Sequence, residues 1–174
     1  FDNLTKENIY VLDRPILSNS QFLKFNNFFK KKIKHIDCTF KNDENLESVL
    51  ERIRKDAEIA VRQGLTQIIL SDKNISDERL PVPMLLAVGA INTYLIKHKL
   101  RGYVSINVQS GEAMDTHSFA TLIGVGATTV NPYLAVDGLY QRFEKKLFGK
   151  FEFEYCVSRY IKSVNSGLLK IMSK

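Results

Sequence analysis

The sequence contains little cysteine and no long apolar run, and each shortage excludes a class of protein. Cys38 and Cys156 are its only cysteines, and they stand far apart without Cys-x-x-Cys spacing. By themselves they cannot build a zinc site or an iron–sulfur cluster. No apolar stretch reaches the roughly 20 residues that a membrane-spanning helix needs. Two thiols and no recognisable signal peptide favour a reducing cytoplasm.

The common catalytic and nucleotide-binding signatures are also missing. There is no Gly-x-Ser-x-Gly nucleophile elbow and no Gly-x-x-x-x-Gly-Lys-Ser/Thr phosphate loop. Residues 124–126 read Gly-Val-Gly, but they precede a predicted strand, whereas a dinucleotide fingerprint follows one. The net charge of +6 permits contact with nucleic acid or an anionic membrane. Its densest basic run, at 30–35, has no recognition motif beside it, so we expect neither partner.

The clearest pattern lies in residues 103–133, around which the rest of the chain is organised. Val104, Ile106 and Val108 alternate with polar residues and predict a strand. Asp115 is a suitable N-cap for a following helix, which ends near 124–126. Residues 127–130 predict the next strand. Two strands joined by a crossover helix form a βαβ unit, which requires a parallel sheet.

The other segments extend this alternation in both directions. Further strands are predicted at 35–40 and 66–70. Helices are predicted within 15–28, with Ser18 or Ser20 as the cap, and at 46–64, 84–95, 133–143 and 153–174. The helix at 84–95 is apolar on nearly every side and is predicted to be buried all round. The order indicates one α/β domain with about four parallel strands, as an open sheet or incomplete barrel, with flanking helices.

The last helix carries an apolar stripe, and the chain starts at Phe1 instead of Met. We expect a piece cut from a longer polypeptide. Residues 155–164 should dock firmly on the domain, whereas 168–174, which follow Gly167, should be frayed or packed against another copy.

Three polar residues after predicted strands are the candidates for chemistry. Asp72, Glu112 and His117 would lie near the carboxyl edge of a parallel sheet, where α/β proteins place their sites. Carboxylates with a histidine can perform acid–base chemistry or hold a metal. The competing interpretation is that Asp72 and Glu112 cap loops and helix ends. Ser71 and Asn131 should lie along the same edge.

Several segments in one order resemble the central domain of the glutamate synthase large (alpha) chain. The segments are 69–72, 81–90, 110–113, 117–120, 124–127, 131–135 and 167–174. The resemblance covers roughly residues 65–174 and is poor over the first 40 or so. One departure is Thr116, where the family typically has a second histidine beside the one that matches His117.

The resemblance implies a parent oxidoreductase, acting on CH–NH₂ donors, that makes glutamate from glutamine and 2-oxoglutarate. In that family an amidotransferase domain with a cysteine nucleophile releases ammonia, and a barrel domain carries FMN and an iron–sulfur cluster. The central domain connects them and helps to shape the ammonia passage.

For this chain the resemblance implies a single non-catalytic connecting domain over residues 1–174, inactive alone. It carries no catalytic, cofactor or metal residue, and 167–174 lead into the FMN domain. Its partners would be the amidotransferase and FMN domains and the glutamate synthase small subunit. The alternative is an autonomous barrel-type enzyme with a strand-end site at Asp72, Glu112 and His117.

Overall fold

The computed structural model describes residues 9–174, which form six α-helices, six strands and a short 3-10 helix at Arg101–Tyr103. The helices are α1 (Asn19–Phe28), α2 (Leu46–Arg62), α3 (Met84–Lys97), α4 (Thr116–Gly124), α5 (Tyr133–Glu144) and α6 (Phe153–Met172). The strands are β1 (Ile33–Asp37), β2 (Thr39–Lys41), β3 (Gln67–Ser71), β4 (Arg79–Pro81), β5 (Ser105–Gln109) and β6 (Thr129–Asn131). No helix in this described part is long and apolar enough to span a membrane.

Four parallel strands form the main sheet of the described residues, in the order β1-β3-β5-β6. The strands of this sheet are therefore arranged in the order in which they occur along the chain, and right-handed crossovers place α2, α3 and α4 on one face. The parallel α/β prediction is confirmed, and the sheet is open and does not close into a barrel. Residues 127–128, predicted as strand, lie before β6, while 129–131 pair with β5.

The sheet separates a large core from a small one. Alternate strand residues, among them Ile68, Ile106 and Val130, face the crossover helices and α6 in the large core. On the opposite face α1 covers Ile69 with Phe22 and Phe25, and these form a second cluster with Leu17. The period-2 alternation of the strands thus supplies two faces, and both are covered.

The segment before α1 pairs with the sheet instead of extending that helix. Ile16 forms a parallel bridge with Val130, because Leu17 N donates to Val130 O over 2.9 Å and Val130 N donates to Pro15 O over 2.8 Å. The helix predicted within 15–28 begins at Asn19, so Ser18 is confirmed as the cap and Ser20 lies inside the helix. Ser18 caps it with a capping box to Gln21.

A small antiparallel pair interrupts the strand predicted at 35–40. Cys38 N donates to Ser71 O, which ends β1, while Cys38 O accepts from Val82 N. The chain then leaves the main sheet and pairs β2 with β4, in a region predicted to be loop. The backbone N–H of Val82 thus bonds the carbonyl of Cys38. Strand propensity in residues 35–40 cannot reveal a partner so far along the chain.

The prediction that α3 is buried all round is wrong. Ile91 is fully buried and faces the sheet, but Leu86 is 41% exposed on the outer side. The described residues supply no layer outside α3, so its outer apolar side chains, Leu85, Leu86 and Ile96, are exposed in this domain.

The segment 168–174 was predicted to be frayed or packed against another copy, and this is wrong for its first residue, Leu168. The helix α6 is continuous to Met172, and Leu168 is buried with Val157, Ile161 and Val164. Gly167 contacts α4 closely, because a Cβ added there would stand 2.6 Å from Thr116 Cγ2. Leu169, Ile171 and Met172 are exposed.

Replacing Ile91 by Ala should destabilise the domain by about 2–5 kcal/mol, because a fully buried side chain leaves a cavity. Leu86→Ala is the matched control on the outer side and should cost less than about 1 kcal/mol in the isolated domain. Urea denaturation of both variants measures the difference. Equal losses would contradict the observed orientation of α3.

Gly167→Ala should destabilise the domain by about 1–3 kcal/mol, because the new methyl overlaps Thr116 where α4 and α6 cross. The helix propensity of alanine opposes this loss only in part. The double variant Thr116→Ala/Gly167→Ala removes the atoms that clash and should recover most of the stability in thermal denaturation. A single variant as stable as the parent domain would show that α4 and α6 do not pack this tightly.

Candidate functional site at the carboxyl edge of the sheet

A row of hydrogen-bonded polar side chains crosses the carboxyl edge. Ser71 Oγ donates to Gln109 Oε1 over 2.9 Å, and Gln109 Nε2 donates to Asn131 Oδ1 over 3.2 Å. Asn131 Nδ2 then donates to Leu17 O and to Asn19 Oδ1, each over 3.0 Å. The expected gathering of Ser71 and Asn131 at one edge is therefore confirmed, since parallel register aligns the ends of β3, β5 and β6.

Asp72 lies directly behind this row and is fully buried. Its carboxylate accepts from Ser110 Oγ over 2.7 Å and from Gly111 N at 3.0 and 3.1 Å. The Tyr133 hydroxyl lies beside it, and burial together with the charge of Asp72 raises the pKa of that phenol. A buried carboxylate needs such donors, and here they anchor the loop between β5 and α4.

Glu112 in the same loop caps another helix. The N-cap position of α3 is Pro83, which has no side-chain acceptor, and Glu112 Oε2 accepts from Met84 N over 3.0 Å instead. The carboxylate therefore satisfies a free N–H at the positive end of the helix dipole. The capping interpretation holds for Glu112.

His117 is exposed in the first turn of α4, where Asp115 accepts from Ser118 N over 2.8 Å as the N-cap. No hydrogen bond or ion pair joins Asp72, Glu112 and His117 to one another within residues 9–174. The same residues contain no group of three or more His, Cys, Asp or Glu that could hold a metal ion. Within the described residues the three side chains therefore have separate settings, and the joint catalytic site stays a prediction.

A second polar cluster, which the sequence did not suggest, lies at the end of β1. Arg79 Nη2 contacts Asp37 Oδ2 at 3.1 Å, and Arg79 Nε donates to Thr39 Oγ1 over 2.8 Å. Arg52 donates to the backbone oxygens of Asp37 and Thr39 over 3.1 and 3.0 Å. These contacts hold the turn between β1 and β2. Arg52, which lies beside the apolar stripe of α2, was the one feature of the sequence that could have indicated this cluster.

The charge of Asp37 is stabilised by its neighbours. Partial burial favours the neutral acid, but hydrogen bonds from Asn74 and Thr39 and the charge of Arg79 outweigh it, so the pKa of Asp37 is held below its ordinary value.

A cleft of about 370 Å³ opens at the carboxyl edge beneath α1. It lies between opposite charges, Lys73 and Asp137, and Gln109 and Asn131 of the polar row form part of its wall. Asn26, also in the wall, carries a buried Oδ1 without a hydrogen-bond partner among the described residues. The cleft is large enough for a small polar molecule, but most of its amides are bonded to one another.

Comparison with known proteins identifies the family. The model of the family described as "Glutamate synthase central domain" matches residues 2–174. The chain belongs to this family. The match reaches almost the whole sequence, so the expected poor resemblance over the first 40 or so residues is wrong, whereas the resemblance itself is confirmed.

Relatives of this central domain are much longer proteins. The glutamate synthase [NADPH] large chain of Azospirillum brasilense is 42% identical over 173 residues, which is 98% of this chain and 11% of the relative. The corresponding large chain of Bacillus subtilis is 42% identical over 164 residues, 92% of this chain and 10% of its own length. The chloroplastic ferredoxin-dependent glutamate synthase of Spinacia oleracea is 41% identical over 140 residues, which is 74% of this chain and 9% of the relative. The chain thus spans about a tenth of these relatives.

Asp37→Asn should make the central domain less stable at about pH 7, and the difference from the parent domain should shrink as the pH falls below about 4. The reason is the lowered pKa of Asp37: its contribution is present while the carboxylate is charged and is lost on protonation. Urea denaturation at several pH values checks this. Asp43→Asn, an exposed substitution of the same kind, is the control. A difference that grows with acidity would contradict the assigned contacts.

Proposed function

We propose that this domain is a non-catalytic connecting domain of a glutamate synthase large chain, linking the glutamine amidotransferase domain to the FMN domain. The observation that carries the proposal is the use of the strand-end carboxylates within the domain. Asp72 holds the backbone of Gly111, and Glu112 caps α3 through Met84 N. An edge whose carboxylates already serve loops and helix ends supports a scaffold more than a reaction centre.

The cysteines support the same conclusion. Burial, followed by the charge of Asp37, raises the pKa of Cys38 to about 12, so its thiolate is scarcely formed near neutral pH. Cys38 is therefore unsuited to the role of an amidotransferase nucleophile. Two separated cysteines do not fit an iron–sulfur cluster, which takes four ligands. We therefore assign FMN and the cluster to other domains of the parent chain.

The names of the relatives support the parent activity. Proteins named glutamate synthase large chain or ferredoxin-dependent glutamate synthase match this domain over most of its length. We infer that the parent chain is an oxidoreductase that makes glutamate from glutamine and 2-oxoglutarate, with the glutamate synthase small subunit as a further partner. Residues 167–174 would lead into the FMN domain, a role compatible with the exposed Leu169 and Ile171 on the last turn of α6.

The purified domain should show no glutaminase or glutamate synthase turnover and no flavin band in its visible spectrum.

Two variants of the parent chain test the proposal further, through their melting temperature and kcat. Glu112→Ala should lower the melting temperature through loss of about 1 kcal/mol of capping, with kcat largely retained. His117→Ala, at an exposed position, should change neither quantity.

Two results would refute this proposal. The first is turnover above background by the isolated domain. The second is a large loss of kcat in the parent chain from His117→Ala at an unchanged melting temperature, which would favour the alternative of a strand-end catalytic site.

A further inference from the structure

The outer side of α3 differs chemically from that of the neighbouring helix. On α2 charged residues pair along the outer side at one-turn spacing, Glu51 with Lys55 at 2.6 Å and Glu58 with Arg62 at 2.7 Å, although Ile59 is also exposed. Such pairs suit a helix that faces water. From residue 84 to residue 96, α3 has no charged residue at all. The outer sides of these two neighbouring helices therefore differ in charge.

Large apolar side chains occupy the exposed side of α3. Leu85 is 45% exposed, Leu86 41% and Ile96 56%. Leu85 and Ile96 are eleven residues apart, which is about three helical turns and places them on one line along the helix. We call Leu85, Leu86, Gly89, Thr93 and Ile96 the α3 outer face.

Gly89 lies in the middle of this face, and nothing within the domain requires a glycine there. A Cβ added at Gly89 would meet no atom within 4 Å. Glycine inside a helix is unfavourable relative to alanine, and its common advantage is that another backbone can approach closely. Gly89 therefore leaves open space in the middle of this face.

We propose that the α3 outer face is the surface on which another domain of the same polypeptide packs. This rests on the proposed function, in which the chain is one domain of a longer protein. The aligned region is 11% of the Azospirillum brasilense relative, so most of that protein lies outside it and is available as a neighbour. An uncharged face with a central glycine suits an apolar segment of that neighbour in close contact.

Hydroxyl-radical footprinting of the isolated domain and of the full-length parent chain tests the proposal. Leu85, Leu86 and Ile96 should be labelled readily in the isolated domain and several-fold less in the full chain. Ile59 on α2 is 53% exposed and is the matched control, which should be labelled alike in both. Equal labelling of the α3 outer face in both proteins would overturn the proposal.

Gly89→Ala gives a test with opposite signs. In the isolated domain it should raise the melting temperature by about 2–4 °C, because alanine favours the helix and the methyl meets open space. In the full chain the rise should vanish or reverse, because the methyl then meets the packed neighbour. Gly138→Ala in α5, also without atoms within 4 Å of the added methyl, should give a similar rise in both. The same rise for Gly89→Ala in both proteins would also overturn the proposal.

Sedimentation of the isolated domain measures its oligomeric state and so tests the alternative that a second copy covers the α3 outer face. A monomer is expected, and a dimer that Leu86→Arg dissociates would assign the face to a second copy and overturn the proposal. Failure of the proposed function would be visible separately, as turnover by the isolated domain. Equal footprinting, in contrast, would remove this interface and leave the connecting role intact.

Discussion

The buried carboxylate of Asp72 is the interaction on which the carboxyl edge depends. Leaving it without donors would be costly, and the loop after β5 supplies them from Ser110 and Gly111. Once that loop is fixed, Glu112 is placed to cap α3 at Met84. One strand end thereby sets the position of a loop and of a helix, which gives the polar residues at this edge a structural use within the domain.

Periodicity predicted the fold where burial follows local sequence. The alternation in β5, the apolar run in β3 and the amphipathic stripe of α2 each identify an element, and their order requires a parallel sheet. Periodicity failed where a segment forms backbone hydrogen bonds with a partner far along the chain. Ile16 pairs with Val130, and the chain leaves the sheet after Cys38 because Val82 donates to its carbonyl. Nothing close in sequence indicates either partner.

The position of the candidate site was predictable from the sequence, but the groups that its carboxylates bond were not. The carboxyl ends of parallel strands must meet, so the location of Asp72 and Asn131 followed from the strand order. Whether a carboxylate acts on a substrate or on its own backbone depends on donors far along the chain. Met84 lies 28 residues before Glu112, and Arg79 lies 42 residues after Asp37.

The bridge between Ile16 and Val130 has a consequence for folding during synthesis. The segment around Ile16 leaves the ribosome early, but its partner in β6 is made more than a hundred residues later. The early segment must therefore wait without its strand partner, and closing so long a loop is a slow, late step. The segment before α1 and the strand β6 are thereby made interdependent, so that trimming the beginning of the domain would remove the partner that β6 has on the side away from β5.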